Sequence, residues 1–79
     1  VEIFGKPGCH LCDDARAILD RVVADFPSVE VVEHNILDNA EWFESMQNEI
    51  PVVTINRTRH AQWHIIEADL RAALTEVTG

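Results

Sequence analysis

Two cysteines separated by two residues, Cys9 and Cys12, are the side chains of this sequence best suited to chemistry. They are its only cysteines, and they lie in the segment Lys6-Pro7-Gly8-Cys9-His10-Leu11-Cys12, between a short apolar run and a helical pattern. A disulfide between them closes too small a loop to stabilise a fold by restricting the unfolded chain. A thiol pair at the start of a helix is instead typical of sites that exchange disulfides.

Two other interpretations of the pair are open at this point. The cysteines could be small buried hydrophobic residues without any reaction, although their position in a loop argues against this. They could also bind a metal, but zinc needs about four ligands and the pair supplies only two. His60 and His64 are the candidates for the missing ligands, yet on a strand they would lie about 13 Å apart at ~3.3 Å per residue. We therefore predict no metal site and keep an iron–sulfur cluster shared by two chains as an alternative.

The composition limits the classes of partner. The 79 residues include 14 Asp and Glu against 6 Lys and Arg, for a formal net charge of −8. This length predicts one domain, residues 1–79. A nucleic-acid partner is not expected, because phosphate binding needs clustered basic side chains. No apolar run approaches the ~20 residues of a membrane span, and no signal-peptide pattern is present. We expect a cytoplasmic monomer that does not contact membranes.

The first half of the chain predicts a strand, a helix and a second strand. Val1 to Phe4 form a short apolar run that ends at a loop rich in glycine and proline. From Leu11, apolar residues recur at three- and four-residue steps, which predicts an amphipathic helix that Pro27 ends. The β-branched segment Val29 to His34 predicts a second strand. Because a helix separates the two strands, we expect them to be parallel.

A second helix and a third strand follow. Asp38-Asn39 predicts a helix cap, and Asn48 predicts the end of that helix. Its buried side is predicted to carry Trp42, Phe43 and Met46. The segment Ile50 to Ile55 predicts a strand opened by a proline, a position where the missing N–H is tolerated.

The last part of the chain predicts a hairpin and a final helix. Asn56 to Arg59 predict the turn, and His60 to Ile65 predict an antiparallel return strand. Trp63 on this strand could lie in the core or at the rim of the cleft, and we favour the core. The final helix is predicted to begin near Glu67. The predicted order is βαβαββα, with a four-stranded mixed sheet flanked by three helices.

This order, with Cys9-His10-Leu11-Cys12 after the first strand and Ile50-Pro51 opening the third, resembles the thioredoxin fold in its minimal, glutaredoxin-like form. The likeness covers the whole chain. The segment Gly8-Cys9-His10-Leu11-Cys12-Asp13 is similar to that of a small glutaredoxin-like family. The resemblance implies an α/β fold and a dithiol–disulfide oxidoreductase. A redoxin-fold module without catalysis, which carries a metal or cluster or mediates protein interaction, is the alternative.

The resemblance also implies roles for individual residues. Cys9 would attack a substrate disulfide and Cys12 would resolve the mixed disulfide. Pro51 would be a cis-proline facing the pair, although only ~5% of X–Pro bonds in folded proteins are cis. Lys6 matches a basic residue that many glutaredoxins carry three positions before the first cysteine. The predicted substrate contacts are Lys6, His10, Leu11, Ile50 and Pro51.

The sequence departs from the glutaredoxin pattern where glutathione docks. Glutaredoxins commonly have a Gly-Gly pair before the last helix, but Ile65-Ile66 stands here, followed by a matching Asp69-Leu70. Two β-branched side chains obstruct the close backbone approach that glycine permits. We therefore expect no tightly bound cofactor and an external thiol reductant, with a thioredoxin-reductase-type system as the alternative to glutathione. The substrate is expected to be a disulfide in a protein or a small molecule.

Overall fold

The computed structural model describes residues 1–78 and has the predicted element order, with an added 3₁₀ turn at Ile36–Asp38. The strands are β1 (Glu2–Gly5), β2 (Val32–Asn35), β3 (Val52–Ile55) and β4 (Thr58–Gln62). The helices are α1 (His10–Val23), α2 (Ala40–Met46) and α3 (Glu67–Thr78). The predicted α/β fold with a four-stranded mixed sheet and three helices is confirmed. None of these three helices has the length and apolar character needed to cross a membrane.

The order of strands in the sheet is β2-β1-β3-β4. The strands β1 and β2 are parallel, as predicted, whereas β3 runs antiparallel to β1 and to β4. In this register Phe4, near the end of β1, pairs with Val52 at the start of β3. The loop after β1 and the residues before β3 therefore lie at the same end of the two central strands. This pairing brings the Cys9 loop and Pro51 together, although they are distant in sequence.

Two apolar clusters cover the two faces of the sheet. Because successive strand side chains point to opposite faces, Ile3 and Val53 face α1 and α3, whereas Phe4 and Val52 face α2. The first cluster contains Ile3, Ala15, Leu19, Val22, Val53, Ile55, Ile65, Leu70 and Leu74. The second contains Phe4, Cys12, Ile36, Met46, Ile50 and Val52. The sheet thus separates a layer of two helices from a layer with one.

The first helix is shorter than predicted at its C-terminal end. It stops at Val23, and Asp25 and Phe26 continue in turns whose N–H groups donate to the carbonyls of Val22 and Val23. Phe26 still packs against the first cluster. The helical spacing of apolar residues extends to Phe26 because Phe26 is packed against the core, although its backbone is no longer helical.

The second strand is also shorter than predicted and displaced toward the C-terminus. Val29 and Val31 pack against the first cluster but lie outside the ladder, which pairs Val32–Asn35 with β1. β-branched residues are common both in strands and in other buried segments, so their presence at Val29 and Val31 predicted a strand where the chain is only packed against the core. In the same way the third strand begins at Val52, two residues after the predicted Ile50.

The hairpin between β3 and β4 is tighter than predicted. Asn56 and Arg57 both have positive φ, 51° and 66°, and Ile55 pairs directly with Thr58. Positive φ at both central residues is the geometry of a two-residue type I′ turn. Thr58 and Arg59, predicted to lie in the turn, therefore belong to β4.

The predicted end of β4 is wrong, and so is the placement of Trp63 in the core. The strand stops at Gln62, and Trp63 has φ of 64° and is 49% exposed. A left-handed residue breaks the alternation on which the strand prediction relied. Ile65 is nevertheless buried, since the chain turns back and places it against the first cluster.

The second helix follows its predicted cap but buries less than expected. The side chain of Asn39 accepts hydrogen bonds from the backbone N–H groups of Glu41 and Trp42. Trp42 lies edge-on to Phe4, with ring centroids 5.4 Å apart. Phe43, predicted to be buried, is 39% exposed. A helix of two turns presents only Trp42 and Met46 to the sheet.

A chain of ion pairs connects α3 to α1. Glu67 accepts from Arg21 at 2.7 Å and from Arg71 at 3.2 Å, and Arg71 also donates to Asp25 at 2.6 Å. The hydrogen bond from Arg21, and then that from Arg71, hold the pKa of Glu67 below its usual value. Asp25 and then Glu67 raise the pKa of Arg71. These charges fix the start of α3 beside the end of α1.

Leu19→Ala tests the contribution of α1 packing to stability. Leu19 has no exposed surface, so we expect a loss of about 2–5 kcal/mol in the free energy of unfolding. Urea unfolding followed by circular dichroism measures it. Leu37→Ala, at a residue that is 58% exposed, is the matched control and should cost less than about 0.5 kcal/mol. Equal losses in the two variants would contradict the assignment of the core.

Glu67→Gln tests the ion pairs between α1 and α3. Because the folded state lowers the pKa of Glu67, its stabilisation is present above the unfolded pKa and lost as pH falls through the folded pKa. We expect the variant to be less stable than wild type at pH 7 and equally stable at about pH 2. Thermal unfolding across this range measures the difference. Glu76→Gln, which removes a carboxylate without an ion pair within residues 1–78, should show no such convergence.

Candidate active site

Cys9 is the residue that caps the N-terminus of α1. Its backbone is extended, with φ −98° and ψ 108°, and its sulfur accepts a hydrogen bond from the backbone N–H of Cys12 at 3.2 Å. The carbonyl of Cys9 accepts the first helical bond, from the N–H of Asp13 at 3.1 Å. The sulfur of Cys9 therefore lies where the free N–H groups of a helix point and where its dipole is positive.

Cys12 lies one turn further along the helix and forms a disulfide with Cys9, with Cα atoms 5.2 Å apart. The two sulfurs have different environments. Cys12 is 9% exposed and belongs to the second cluster, whereas Cys9 is partly exposed. A reagent from solvent therefore reaches the sulfur of Cys9 more readily than that of Cys12.

Gly5, at the end of β1, makes room for the sulfur of Cys12. A Cβ atom on Gly5 would lie 2.9 Å from Sγ and 3.1 Å from Cβ of Cys12. The first distance is too short for any real contact without movement. Sequence reasoning assigned Gly5 only to a loop; the signal in the sequence was a residue without a side chain between a buried strand and the cysteine pair.

A cavity of about 210 Å³ opens on the β1–β2 side of Cys12. Its lining includes Gly5, Lys6, Pro7, Cys12, Asp13 and His34. Lys6, predicted as a basic neighbour of the attacking cysteine, thus shares a cavity with Cys12. Its charge is accompanied there by the carboxylate of Asp13.

The second half of the site precedes β3. The Ile50–Pro51 peptide bond is cis, as the resemblance implied. Both side chains are buried, Ile50 with 8% of its surface exposed. Ile50 belongs to the same apolar cluster as Cys12, so the cis peptide segment lies beside the cysteine pair. Backbone pairing of Ile50 with an extended substrate stays a prediction.

The remaining predicted contacts lie on the surface of α1. His10 is exposed at its first position, and Leu11, between the two cysteines, is 37% exposed. Leu11 was predicted to start the apolar stripe of the helix, but it faces a groove instead of the core. The roles of His10 and Leu11 in substrate binding stay predictions.

Trp63 lies near the site, the less favoured of the two positions that sequence reasoning allowed for it. Its backbone N–H donates to the carbonyl of Pro51 at 2.9 Å, and its indole Nε1 donates to the carbonyl of Asn48 at 2.8 Å. The indole is therefore tied to the segment that carries the cis-proline. Its position two residues before Ile65-Ile66, where the resemblance places glutathione docking, was the available signal.

The described part of the chain contains no group of side chains that could serve as metal ligands. Within residues 1–78, no three His, Cys, Asp or Glu side chains are grouped closely enough to hold an ion. His60 lies in β4, and His64 follows the end of that strand. The cluster shared by two chains stays an alternative hypothesis.

Comparisons with known proteins agree on the type of domain. The family model described as "Glutaredoxin-like domain (DUF836)" matches residues 1–75. The Dictyostelium discoideum protein described as "Glutaredoxin-like protein YDR286C homolog" is 31% identical over 62 residues, which is 72% of this chain and 57% of that protein. The chain thus spans little more than half the length of this relative.

A solved structure supports the fold. The X-ray structure of a structural-genomics target protein from X. campestris has a TM-score of 0.77 to this chain, and the match covers 95% of both chains. Its sequence identity is 24%. At this level the likeness is evidence for a shared fold and carries no information on activity.

Gly5→Val tests the contact between β1 and Cys12. Because even a Cβ atom would lie 2.9 Å from Sγ of Cys12, we expect a loss of about 1–3 kcal/mol in unfolding free energy from overpacking. The loss should shrink in a Cys12→Ala background, where Sγ is absent. Gly8→Asn is the control, since φ of Gly8 is 79° with open space around it and Asn tolerates such φ values. An unchanged loss in the Cys12→Ala background would show that the sulfur contact is not the cause.

Proposed function

Because the chain belongs to the glutaredoxin-like domain family, with a model match over residues 1–75, we propose that it is a dithiol–disulfide oxidoreductase. The observation that carries the proposal is the position of the Cys9–Cys12 pair at the N-terminus of α1. In the reduced protein, Cys9 is the nucleophile and Cys12 the resolving thiol. The substrate is a disulfide in a protein or a small molecule.

The first step needs a thiolate, because a thiol is a poor nucleophile. The N–H of Cys12 points at the sulfur of Cys9 at 3.2 Å, and such a hydrogen bond favours the anion. The N-terminus of α1 adds a positive partial charge at the same place. Asp13, in the first turn, opposes this effect in part. The balance favours the thiolate at Cys9, where the reaction starts.

The cycle follows from the different exposure of the two sulfurs. The Cys9 thiolate attacks one sulfur of the substrate disulfide and forms a mixed disulfide, while the other substrate sulfur leaves as a thiolate. Cys12 loses its proton and attacks Sγ of Cys9, which releases the second substrate sulfur. Two electrons pass to the substrate, and its two thiolates take up the two protons lost by Cys9 and Cys12. The product is the Cys9–Cys12 disulfide, in which Cys12 lies buried.

An external thiol reductant must reduce the Cys9–Cys12 disulfide before the next cycle. The resemblance places Ile65 and Ile66 where a glycine pair would admit glutathione, and each of them has a β-branched side chain that hinders close backbone approach. A dithiol supplied by a thioredoxin-reductase-type system is therefore the preferred reductant, and no tightly bound cofactor is required. A reducing compartment such as the cytoplasm suits this cycle.

Single cysteine variants test the mechanism. The reduced protein is mixed with bis(2-hydroxyethyl) disulfide, and the loss of thiols is followed. Cys9→Ser should react at least about a hundredfold more slowly than wild type, because the nucleophile is lost. Cys12→Ser should keep the first step and accumulate a mixed disulfide at Cys9, which mass spectrometry detects as an added mercaptoethanol group.

Two results would contradict the proposal. One is a Cys9→Ser variant that reacts as fast as wild type. The other is anaerobically purified protein that contains iron or zinc near one per chain and does not react with the disulfide. The second result would favour a module that carries a metal or a cluster.

A further inference from the structure

Trp63 combines a costly backbone conformation with an exposed side chain. Its φ of 64° is unfavourable for any residue with a Cβ atom, and bulky residues rarely adopt it. Burial of the indole does not explain the conformation, since 49% of the residue is exposed. Two hydrogen bonds maintain it, from the backbone N–H to Pro51 and from the indole N–H to Asn48. The chain thus holds an open aromatic surface beside the cis-proline.

This surface forms one wall of a groove beside the segment that carries the cysteines. The groove, called the Trp63 groove below, has a volume of about 420 Å³. Its lining includes Leu11, Asp14, Ala15, Trp63, His64 and Ile65. Leu11 lies between the two cysteines in the chain, and the backbone of Trp63 is hydrogen-bonded to Pro51. The groove therefore borders the segments that carry the cysteine pair and the cis-proline, although neither sulfur lines it.

The charges around the groove favour a cationic ligand. Asp14 lines it together with His64. Asp13, the neighbour of Asp14 in the chain, lines the cavity on the β1–β2 side of the same helix. Within residues 1–78, ion pairs with the chain's own carboxylates occupy four of the 6 basic side chains, those of Arg16, Arg21, Arg59 and Arg71. The formal net charge of −8 adds to the attraction of positive ligands.

We propose that the Trp63 groove binds the apolar side chain next to a disulfide in a positively charged polypeptide, which is the preferred substrate. This inference rests on the proposed disulfide reduction and adds its specificity. The apolar side chain lies against Trp63 and Leu11, and basic residues of the polypeptide lie near Asp13 and Asp14. The redox step is unchanged: the reduced Cys9–Cys12 pair gives two electrons to the polypeptide disulfide.

Glutathione disulfide fits this arrangement poorly. Each glutathione half carries two carboxylates, one amine and no apolar side chain. Asp13 and Asp14 repel the carboxylates. Glutathione also has no apolar side chain to place against the indole of Trp63. A basic polypeptide with a leucine beside its cysteine satisfies both features.

Three synthetic peptides, each closed by an internal disulfide, test the proposal in single turnovers of reduced protein. The first has a leucine beside one cysteine and two arginines, the second has glutamates for the arginines, and the third has a serine for the leucine. The first should react about tenfold faster than the others. Its advantage over the glutamate peptide should fall below about threefold at ~0.5 M salt, because salt screens surface charges.

Trp63→Gly separates the groove from general structure. Glycine adopts positive φ without cost, so the variant can keep the backbone hydrogen bond to Pro51 while it loses the indole and its hydrogen bond to Asn48. The preference for leucine over serine should fall to about onefold, while the preference for arginine over glutamate persists. Phe43→Ala, at another exposed aromatic residue that is outside the groove, is the matched control and should change neither ratio.

The outcomes distinguish this inference from the proposed function. If wild type does not react with bis(2-hydroxyethyl) disulfide, both fail together. If it reacts, equal rates for the three peptides, or a faster reaction with glutathione disulfide, overturn the inference alone. An equal decrease for all peptides in Trp63→Gly would assign the indole a structural role and overturn it. Sedimentation that shows a dimer broken by Trp63→Gly would make the groove an interface between copies, with the same consequence.

Discussion

The packing of α1 against the sheet is the constraint on which the arrangement of the sulfurs depends. Ala15, Leu19 and Val22 bury one side of the helix against Ile3 and Val53. A helix held along its length has a fixed N-terminus, and Cys9 and Cys12 occupy that terminus. The N–H of Cys12 therefore points at the sulfur of Cys9 without any adjustment of the backbone. The surroundings of this sulfur are in this sense a property of the core.

The remaining parts of the site depend on the antiparallel pairing of β3 with β1. The pair Phe4 and Val52 places the cis-proline segment beside the end of β1. The carbonyl of Pro51 then holds the backbone of Trp63, and the carbonyl of Asn48 holds its indole. The end of β1, the cis-proline segment and the segment at Trp63, which are distant in sequence, thus meet at one end of the sheet. Strand pairing and these two hydrogen bonds hold them together.

Sequence reasoning predicted the parts of the fold that depend on apolar patterning and motif order. The element order, the parallel pairing of the first two strands and the cap at Asn39 follow from such local signals. Several of its errors have one physical origin, because buried residues were taken to lie in regular helix or strand. Phe26 and Val29 are packed but lie outside helix and ladder, and Ile65 is buried after a left-handed turn at Trp63. In the site, sequence motifs identified the cysteines, whereas the roles of Gly5 and Trp63 depend on contacts between segments, which no local pattern contains.

The separation of the apolar interior by the sheet has a consequence for how this chain can change. Cys12 belongs to the cluster of Phe4, Ile36 and Met46, although its helix α1 covers the other face and its Sγ lies against Gly5 at the end of β1. The residue therefore lies at the end of the sheet, where the two apolar layers meet. Leu19 and Leu70 belong to the other cluster, so shortening them changes the packing of α1 and α3 without removing a neighbour from the cluster that contains Cys12. Shortening Ile36 or Met46 does remove one. The apolar surroundings of Cys12 can therefore be altered separately from the larger core.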